Sequence, residues 1–419
     1  MDNAPGQALL PRLPFFDVAE YLLVNEDVAR DGMDPLRHYW NWGRHEGRPI
    51  MSPAGSARIM SQYRECGDAL ARFPYLDQDA ALPTSFLGQR VALLTASGGN
   101  FYMDEIAEHV QHGLHALGVP TVRGNEHTQE ALSAEHIIVV APHEFFTLAD
   151  APKLAERAVM MNTEQLQTVY FARALPQILA SRRVIDINYQ LACMFQDAGI
   201  ETLYYMPGYA PDLPNCPPAS ALPNHPLTEA LPDAVRNYDL SRDIFAERPI
   251  DVTFMGNQSL IRNEFLARNA AFFAARPCHI VYRQRQIPMI PGTFTEALPR
   301  VNAALGRRSK VVLNIHRDGV GYFEWARIVL QGIWQKAVVV TNPCVPHPFF
   351  RPGEHFFEES LDRIPKLIGW IIDTTEGRAL AERVRSAAFD VLVRQCALRR
   401  FSLALAEFLA RTGEQRKGG

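Results

Sequence analysis

The feature that most constrains the fold of this sequence is a strand–loop–helix–strand pattern within residues 309–357. An apolar run at 311–313 has the composition of a buried strand and ends in polar residues, beginning with Asn314. A glycine-containing loop follows, then apolar residues recur at helical spacing over 323–333, and a second apolar run covers 337–340. This order predicts a βαβ unit with a parallel strand pair.

The rest of the chain repeats the same alternation of short apolar runs with helical patterns. Ligands in open α/β sheets bind at the carboxyl ends of the strands, where helix N-termini point their amide hydrogens outward. Polar clusters follow most of the predicted strands, so we expect them to share such an edge in each sheet. The other predicted strands cover 91–95, 136–141, 159–161, 184–186, 202–206, 250–255 and 279–282.

The loop after the strand at 311–313 carries the phrase N-I-H-R, and Glu324 follows early in the predicted helix, on its first turn. This stretch resembles the nucleotide-sugar half of the GT-B glycosyltransferases, in particular bacterial family-1-like enzymes. The resemblance implies that Glu324 bonds the ribose hydroxyls of a donor nucleotide, because a carboxylate can accept from two vicinal hydroxyls. The alternative reading of Glu324 is an acid that complements the dipole of its helix.

The same resemblance implies that His316, Arg317 and the backbone from Gly319 to Gly321 face the donor diphosphate, whose charge a cation offsets. A strand that ends near Gly256 and leads into a helix with Arg262 is a second loop of this type. Arg262 could instead be an exposed helix residue. The expected donor-binding residues are Glu324, His316, Arg317, Gly319, Gly321, Tyr322, Asn314, Gly256 and Arg262.

Polar residues at strand ends in the first half of the chain are the candidates for acceptor binding or general-base catalysis. The phrases A-P-H-E and N-T-E-Q, which carry His143, Glu144 and Glu164, also resemble those of the family-1-like enzymes. Asp104 is a fourth candidate, with an ordinary alternative as a first-turn helix acid. An inverting transferase would need one of these four residues as a base, whereas a retaining transferase would not.

Residues 14–50 form a separate pattern of short helices with glycine turns. The pattern resembles a small helical module that accompanies bacterial glycan-synthesis proteins. His38 and Trp40 within it could be ligand contacts or core residues. The matching positions are Phe16, Asp17, Tyr21, Leu22, Asn25, Asp27, Val28, Gly32, Asp34, Pro35, His38, Tyr39, Gly43, Glu46, Gly47 and Arg48.

Together these patterns predict an α/β protein of the GT-B class, with two Rossmann-like domains facing a cleft and preceded by a small all-α module. The predicted organisation is a helical module at 1–52, a connecting region at 53–86, an N-terminal Rossmann-like (acceptor) domain at 87–212, a linker at 213–248, a C-terminal Rossmann-like (nucleotide-sugar) domain at 249–395, and a helix at 396–419 that crosses back to the first domain.

Composition limits the partners and the location. The 42 Lys and Arg against 46 Asp and Glu give a net charge of −4, so nucleic-acid binding is not expected. Six scattered cysteines without a C-x-x-C pair are typical of reduced thiols in a cytoplasmic protein. The opening residues lack a signal-peptide profile, and no apolar run reaches the ~20 residues that span a bilayer. A cytoplasmic location is therefore expected, with room for a peripheral role beside membrane-bound glycan-assembly machinery.

The function that this resemblance implies is glycosyl transfer, of the hexosyltransferase class, from a nucleotide-sugar donor to a glycan or glycoconjugate acceptor in bacterial polysaccharide synthesis. No metal and no cofactor other than the donor substrate is expected, because helix N-termini and Arg or His side chains would stabilise the diphosphate. Two alternatives stay open. One is a GT-B-fold sugar-nucleotide epimerase. The other is a non-catalytic glycan-assembly scaffold, since the second Glu of an E-x7-E pattern is replaced by Gln331 and Gly332.

Overall fold

The computed structural model of the chain describes residues 7–13, 15–63, 69–73, 75–77, 79–145, 151–213, 222–283 and 292–417. These residues form two compact units. The first unit contains the described residues up to Pro207 together with those from Leu398 onward, and the second contains Gly208–Ala397. Part of the predicted linker, at 214–221, lies outside the described residues.

The first unit is built on a six-stranded parallel sheet with the order β2-β1-β3-β4-β5-β6. Its inner strands are apolar and buried on both faces, as expected for parallel strands that helices cover on both sides. The order reverses between β1 and β3, which makes the carboxyl ends of these two strands the switch point of the sheet. The strands are β1 (Val91–Leu94), β2 (Thr121–Gly124), β3 (His136–Val140), β4 (Val159–Asn162), β5 (Arg183–Asp186) and β6 (Glu201–Tyr204).

Side-chain caps start the main helices of this unit. Asn100, Thr168 and Asn188 each accept a hydrogen bond from a backbone N–H in the first turn of the helix that follows. The helices are α1 (Val18–Val24), α2 (Glu26–Arg30), α3 (Pro35–His38), α4 (Arg44–Glu46), α5 (Pro53–Met60), α6 (Ala69–Arg72), α7 (Phe101–His115), α8 (Gln129–Leu132), α9 (Ala151–Arg157), α10 (Val169–Ser181) and α11 (Tyr189–Asp197).

The second unit has a five-stranded parallel sheet with the order β11-β10-β9-β7-β8, so its switch point lies between β7 and β9. Its strands are β7 (Ile250–Asn257), β8 (Cys278–Arg283), β9 (Ser309–Asn314), β10 (Val338–Thr341) and β11 (Phe357–Glu358). Its helices are α12 (Pro226–Glu229), α13 (Asp233–Arg236), α14 (Leu260–Arg268), α15 (Ala270–Ala274), α16 (Leu298–Arg308), α17 (Ile364–Asp373) and α18 (Thr375–Arg394).

The last helix, α19 (Leu398–Lys417), belongs to the first unit, where it packs on α7. Gly113 of α7 permits this contact, because a Cβ there would lie 3.0 Å from the Leu398 side chain. No helix in the described ranges is long and apolar enough to cross a bilayer. The short non-α helices are Gln7–Arg12, Ser61–Tyr63, Thr84–Phe86, Pro142–Phe145, Phe245–Glu247 and Phe294–Ala297, which are 3₁₀, and Tyr39–Gly43 and Trp325–Ile333, which are π.

Every described element of regular structure in residues 15–63 is a helix, and this N-terminal helical segment packs into the first unit rather than forming a unit of its own. The Phe15 ring lies edge-on to Phe171 of α10, with 5.6 Å between centroids. The Tyr39 hydroxyl donates a 2.7 Å hydrogen bond to the Ala172 carbonyl in the first turn of α10. In a regular helix that carbonyl would accept from residue 176, which is Pro176 and has no N–H. Tyr39 therefore satisfies the carbonyl that the proline leaves open.

A cluster of cations around Asp243 holds the amino edge of the second sheet. The Asp243 carboxylate accepts from Arg385 at 2.8 Å and Arg248 at 2.9 Å, and it lies 3.4 Å from Arg307 and 3.2 Å from Lys336. Although burial alone would raise the pKa of Asp243, the hydrogen bonds from Arg385 and Arg248 hold it well below its ordinary value. Arg248 is 1% exposed and also donates to the carbonyls of Gly306, Ser309 and Gln335.

We expect Asp243→Ala to lower the free energy of unfolding by about 3 kcal/mol, because it leaves buried guanidinium charges without their carboxylate. Urea denaturation followed by circular dichroism measures this. Asp239→Ala is the matched control, since Asp239 is exposed and its carboxylate accepts from the nearby Ser241. The stabilisation should be present above the unfolded pKa of about 4 and disappear as the pH falls further. An Asp243→Ala midpoint equal to that of the control would contradict the role of this cluster.

Candidate functional site

Arg262 lies at the switch point of the second sheet and joins the carboxyl ends of its two central strands. From α14, its Nε donates to the Ile315 carbonyl at 2.7 Å and its Nη1 donates to the Asn257 carbonyl at 2.9 Å. Arg262 is 3% exposed, so the alternative interpretation as an exposed helix residue is wrong. Its guanidinium fixes the backbone of the two loops that follow β7 and β9.

Arg327 supplies a second guanidinium at the same place, and the sequence reasoning missed it. Arg262 and Arg327 lie over the same Phe254 ring, 5.8 and 5.7 Å from its centroid. A Cβ on Gly256 would lie 3.2 Å from Nη1 of Arg262 and 3.3 Å from Nη1 of Arg327. Gly256 therefore leaves space between the two cations that a side chain would fill. The Arg327 Nη1 atom is buried and has no hydrogen-bond partner among the described residues.

The sequence predicts Glu324 on the first turn of its helix. In the structure, Glu324 instead stands directly before that helix. Its backbone is extended (φ −72°, ψ 109°), and the nine-residue π-helix Trp325–Ile333 begins after it. The Glu324 side chain makes no capping hydrogen bond to that helix, which removes the simplest structural role for the carboxylate. One carboxylate oxygen lies 3.7 Å from Nε of Arg327, three residues later. This spacing is the signal that could have identified Arg327 from the sequence.

At this switch point, the two guanidinium groups of Arg262 and Arg327 outnumber the one nearby carboxylate, that of Glu324. Burial and the neighbouring Arg327 lower the pKa of Arg262 to about 10, while Glu324 opposes that shift. Arg262 therefore remains protonated at neutral pH, and the two guanidiniums share one nearby carboxylate. Phosphate oxygens are suitable partners for such a pair, because guanidinium N–H groups bond them with charge assistance.

Three of the predicted donor-binding residues are buried: His316, Asn314 and Tyr322. The His316 imidazole lies 3.2 Å from the Asn342 carbonyl and 3.3 Å from the Thr341 hydroxyl. Burial lowers the pKa of His316, so its ring is neutral and does not supply the cation that the sequence suggested. Asn314 donates to the Thr341 hydroxyl at 3.2 Å, and its buried Oδ1 has no partner within the described chain.

The loop after β9 divides into an open part and a packed part. Arg317 bonds the adjacent Asp318, and Gly319 is exposed with nothing within 4 Å of an added Cβ. Gly321 differs, because a Cβ there would overlap the Pro343 carbonyl and lie 2.8 Å from the Cys344 Cα. The Gly321 carbonyl also accepts from Val345 N–H at 2.7 Å. Gly321 thus joins this loop to the one after β10, whereas Gly319 stays accessible.

In the first unit, Glu144 lies at the switch point between β1 and β3. Ala141 turns the chain there with a left-handed φ of 56°, a conformation that costs energy for a residue with a Cβ. One Glu144 carboxylate oxygen accepts from Asn100 N–H at 3.1 Å, and the other lies against Gly99. Burial, with a smaller contribution from Asp104, raises the pKa of Glu144.

His143 and Glu164 form a pair beside this point. Nε2 of His143 lies 3.7 Å from Oε1 of Glu164. Asn162 orients the Glu164 backbone, because its Oδ1 accepts from Glu164 N–H at 3.3 Å, and Asn162 is in turn bonded to buried Asp186 at 2.9 Å. Burial, followed by the charge of Arg173, lowers the pKa of His143 to about 4. The imidazole is therefore neutral at pH 7 and able to accept a proton.

Asp104 is used differently from the other three candidate bases. Its carboxylate accepts from the Thr95 hydroxyl at 2.7 Å and from Arg123 at 2.8 Å. These bonds connect α7 to the ends of β1 and β2. We infer that Asp104 holds the fold at this edge, and we retain His143 with Glu164 as the pair suited to proton transfer.

Neither a protein-family profile nor a curated protein matches the sequence. Solved structures do match the fold. HepE from Anabaena, solved with UDP-glucose, is 11% identical with a TM-score of 0.50, over 77% of this chain and 100% of that one. A glycosyltransferase from Rickettsia africae is 14% identical with a TM-score of 0.46, over 78% and 99% of the chains. An α-glucosyltransferase bound to UDP and DNA is 9% identical with a TM-score of 0.48, over 77% and 99%. At such identities the likeness concerns the fold alone.

We expect Gly321→Ala to destabilise the protein by about 1–3 kcal/mol, because the added methyl group meets backbone atoms that cannot move aside independently. Gly319→Ala is the matched control in the same loop and should leave the unfolding midpoint nearly unchanged. Thermal unfolding by calorimetry compares the two. Equal midpoints for both variants would show that the two loops are not packed together in solution.

Proposed function

The chain has the GT-B glycosyltransferase fold, with two parallel α/β sheets, and from this we propose that it transfers a sugar from a nucleotide-sugar donor to a glycan or glycoconjugate acceptor without a metal ion. The observation that carries the proposal is the pair of guanidiniums that face Gly256 beside Glu324. This arrangement lies at the strand edge where α/β sheets bind ligands. Because HepE was solved with UDP-glucose, UDP-glucose is the first donor to test.

In the proposed donor site, Arg327 binds the diphosphate directly and Arg262 positions the loops around it. The buried Nη1 of Arg327 is a donor without a protein partner in the described residues, so a phosphate oxygen can accept from it. Glu324 accepts from the ribose hydroxyls. As the bond to the sugar breaks, negative charge grows on the diphosphate, and fixed guanidiniums stabilise that charge more strongly than water does. This is the support for transfer without a metal ion.

In the proposed acceptor site, His143 removes the proton from the attacking hydroxyl if the transfer inverts the anomeric centre. The neutral imidazole accepts that proton, and the Glu164 carboxylate 3.7 Å away stabilises the imidazolium that forms. Transfer with retention would not need this step. Inverting transfer therefore needs His143 as a base and retaining transfer does not, and the anomeric configuration of the product shows which of the two occurs.

The experiment that tests the donor site is isothermal titration with UDP and UDP-glucose, with magnesium and with EDTA. We expect Arg327→Gln and Glu324→Ala each to weaken binding about 10- to 100-fold, the worth of a hydrogen bond to a charged group. Arg351→Gln is the control, because its side chain is 74% exposed. If neither nucleotide binds, GDP, dTDP and CDP are screened by thermal shift, since a ligand of the native state raises the melting point.

Loss of affinity in Arg351→Gln equal to that in Arg327→Gln would contradict the donor site. A requirement for magnesium would contradict metal-independent transfer. No thermal shift with any of the nucleotides would favour a non-catalytic scaffold.

The acceptor site is tested by turnover. With UDP-glucose and a set of 4-nitrophenyl glycosides as acceptors, we expect His143→Gln and Glu164→Gln to lower kcat at least about 100-fold while donor affinity is unchanged. The exposed Glu130→Gln variant is the control. Near-normal turnover in both site variants would exclude the pair as the base. Conversion of the donor sugar to its epimer without an acceptor would establish the epimerase alternative instead.

A further inference from the structure

Helix α10 presents one face to the short helix that carries His143. The residues on this face are Tyr170, Arg173 and Gln177, at spacings of three and four, which place them on one side of a helix. The Tyr170 and His143 rings are 5.3 Å apart between centroids, and Gln177 donates to the Pro142 carbonyl at 2.7 Å. Arg173 lies between them in sequence on the same face, and its positive charge, after burial, lowers the pKa of His143. These three side chains on one face of α10 thus set the position and surroundings of His143.

The other contacts of α10 are made by the N-terminal helical segment. Phe15 packs edge-on against Phe171, and Tyr39 bonds the Ala172 carbonyl that Pro176 leaves without an N–H donor. Ser56 bonds Gln167 at 3.1 Å, just before the start of the helix. These contacts extend from just before the N-terminal cap of α10 to the end of its first turn. The segment therefore holds α10 along the turns that carry Tyr170 and Arg173.

Gly47 connects the segment to Arg173 itself. Its backbone lies close against the guanidinium, because a Cβ on Gly47 would lie 2.8 Å from Arg173 Nε and 2.9 Å from Cζ. Gly47 has a φ of 70° at the end of α4, which turns the chain onto Arg173. Gly32 in the same segment has a similar φ of 64° but nothing within 4 Å of an added Cβ. The close approach is thus a property of Gly47 and not of every left-handed glycine in the segment.

We propose that the N-terminal helical segment is a working part of the candidate acceptor site, and that Arg173 is the positioning residue through which the segment acts on His143. The segment fixes α10 and the Arg173 guanidinium from one side, and α10 places Tyr170 and Arg173 beside His143 on the other. The proposal rests on the proposed function only in treating His143 as the candidate base. The contacts among the segment, α10 and His143 do not depend on the reaction.

Several charged and titratable groups of the described residues lie near His143. Arg173 and Tyr170 belong to α10, Glu164 belongs to the loop after β4, and Glu144 follows His143 in its own short helix. Glu164 favours a protonated imidazole, while burial and, after it, the charge of Arg173 oppose it. Burial and, after it, the charge of Arg173 keep the His143 imidazole neutral beside a carboxylate. A neutral imidazole is the form that a base needs before it takes a proton.

The test is the pKa of His143, measured by NMR titration of the full chain labelled with ¹³C-histidine and assigned with His143→Gln. We expect the pKa of His143 to rise from about 4 in Arg173→Gln while staying below its ordinary value, because burial remains, and to stay unchanged in Arg173→Lys, which keeps the positive charge. A purely structural role for Arg173 would not be rescued by lysine in this way. An unchanged His143 pKa in a folded Arg173→Gln variant would overturn the proposal.

The role of the segment is tested by Gly47→Ala against Gly32→Ala. Both changes place an alanine at a left-handed φ, but only the Gly47 methyl group meets Arg173. We expect the His143 ring resonances to shift in Gly47→Ala and to remain in place in Gly32→Ala. Equal spectra for the two variants would overturn the proposal, and this pair decides it even if Arg173→Gln does not fold. Because the measurement needs no substrate, it can succeed or fail independently of the transferase activity.

Discussion

The constraint on which both units depend is that every described strand pair is parallel. In a parallel sheet, the chain must cross back over the sheet before the next strand can pair with the previous one. The carboxyl ends of all the strands, and the loops that follow them, therefore lie at the same edge of the sheet. Where the strand order reverses, the two crossovers leave in opposite directions and a gap opens between them. Glu144 and Gly99 lie at this gap in the first sheet, and Gly256 and Arg262 lie at it in the second. The candidate residues are thus placed by topology before any side-chain chemistry is considered.

The second unit buries arginines at both edges of its sheet, and the two groups are satisfied differently. At the amino edge, Arg248 and Arg385 meet the carboxylate of Asp243 and several backbone carbonyls, so their charge is used to close the fold. At the carboxyl edge, Arg262 is likewise occupied by carbonyls, but Arg327 retains a buried donor without a partner among the described residues. A buried, unpaired donor costs free energy unless a ligand accepts from it. Arg248 and Arg385 also keep a buried Nε atom without a partner among the described residues, but each bonds the Asp243 carboxylate, whereas the Glu324 carboxylate lies 3.7 Å from Arg327. The weaker neutralisation of Arg327 is the physical reason to assign binding to the carboxyl edge.

Most strands could be predicted because buried parallel strands are continuous apolar runs, as in His136–Val140 and Ser309–Asn314. The sequence reasoning missed β2, since Thr121–Gly124 is a short, half-exposed edge strand that ends in a glycine. It placed Glu324 on the first turn of the helix, whereas the π-helix begins one residue later, at Trp325. Arg327 was missed because a charged residue at helical spacing is usually a solvated one. Burial decides such cases, and burial depends on residues distant in sequence.

Pro176 shows most clearly why the N-terminal helical segment cannot be understood by itself. A proline at that position predicts a break in the helix. Yet α10 continues to Ser181, with Tyr39 bonded to the carbonyl that would otherwise lack a donor. The polar aromatic residues of the segment are also used internally, since His38 bonds the Tyr21 hydroxyl at 2.9 Å and Trp40 is 8% exposed. Residues that in isolation resemble ligand contacts therefore form the core of the segment. The segment and α10 complete each other's hydrogen bonding and packing, so the segment is structurally part of the first unit.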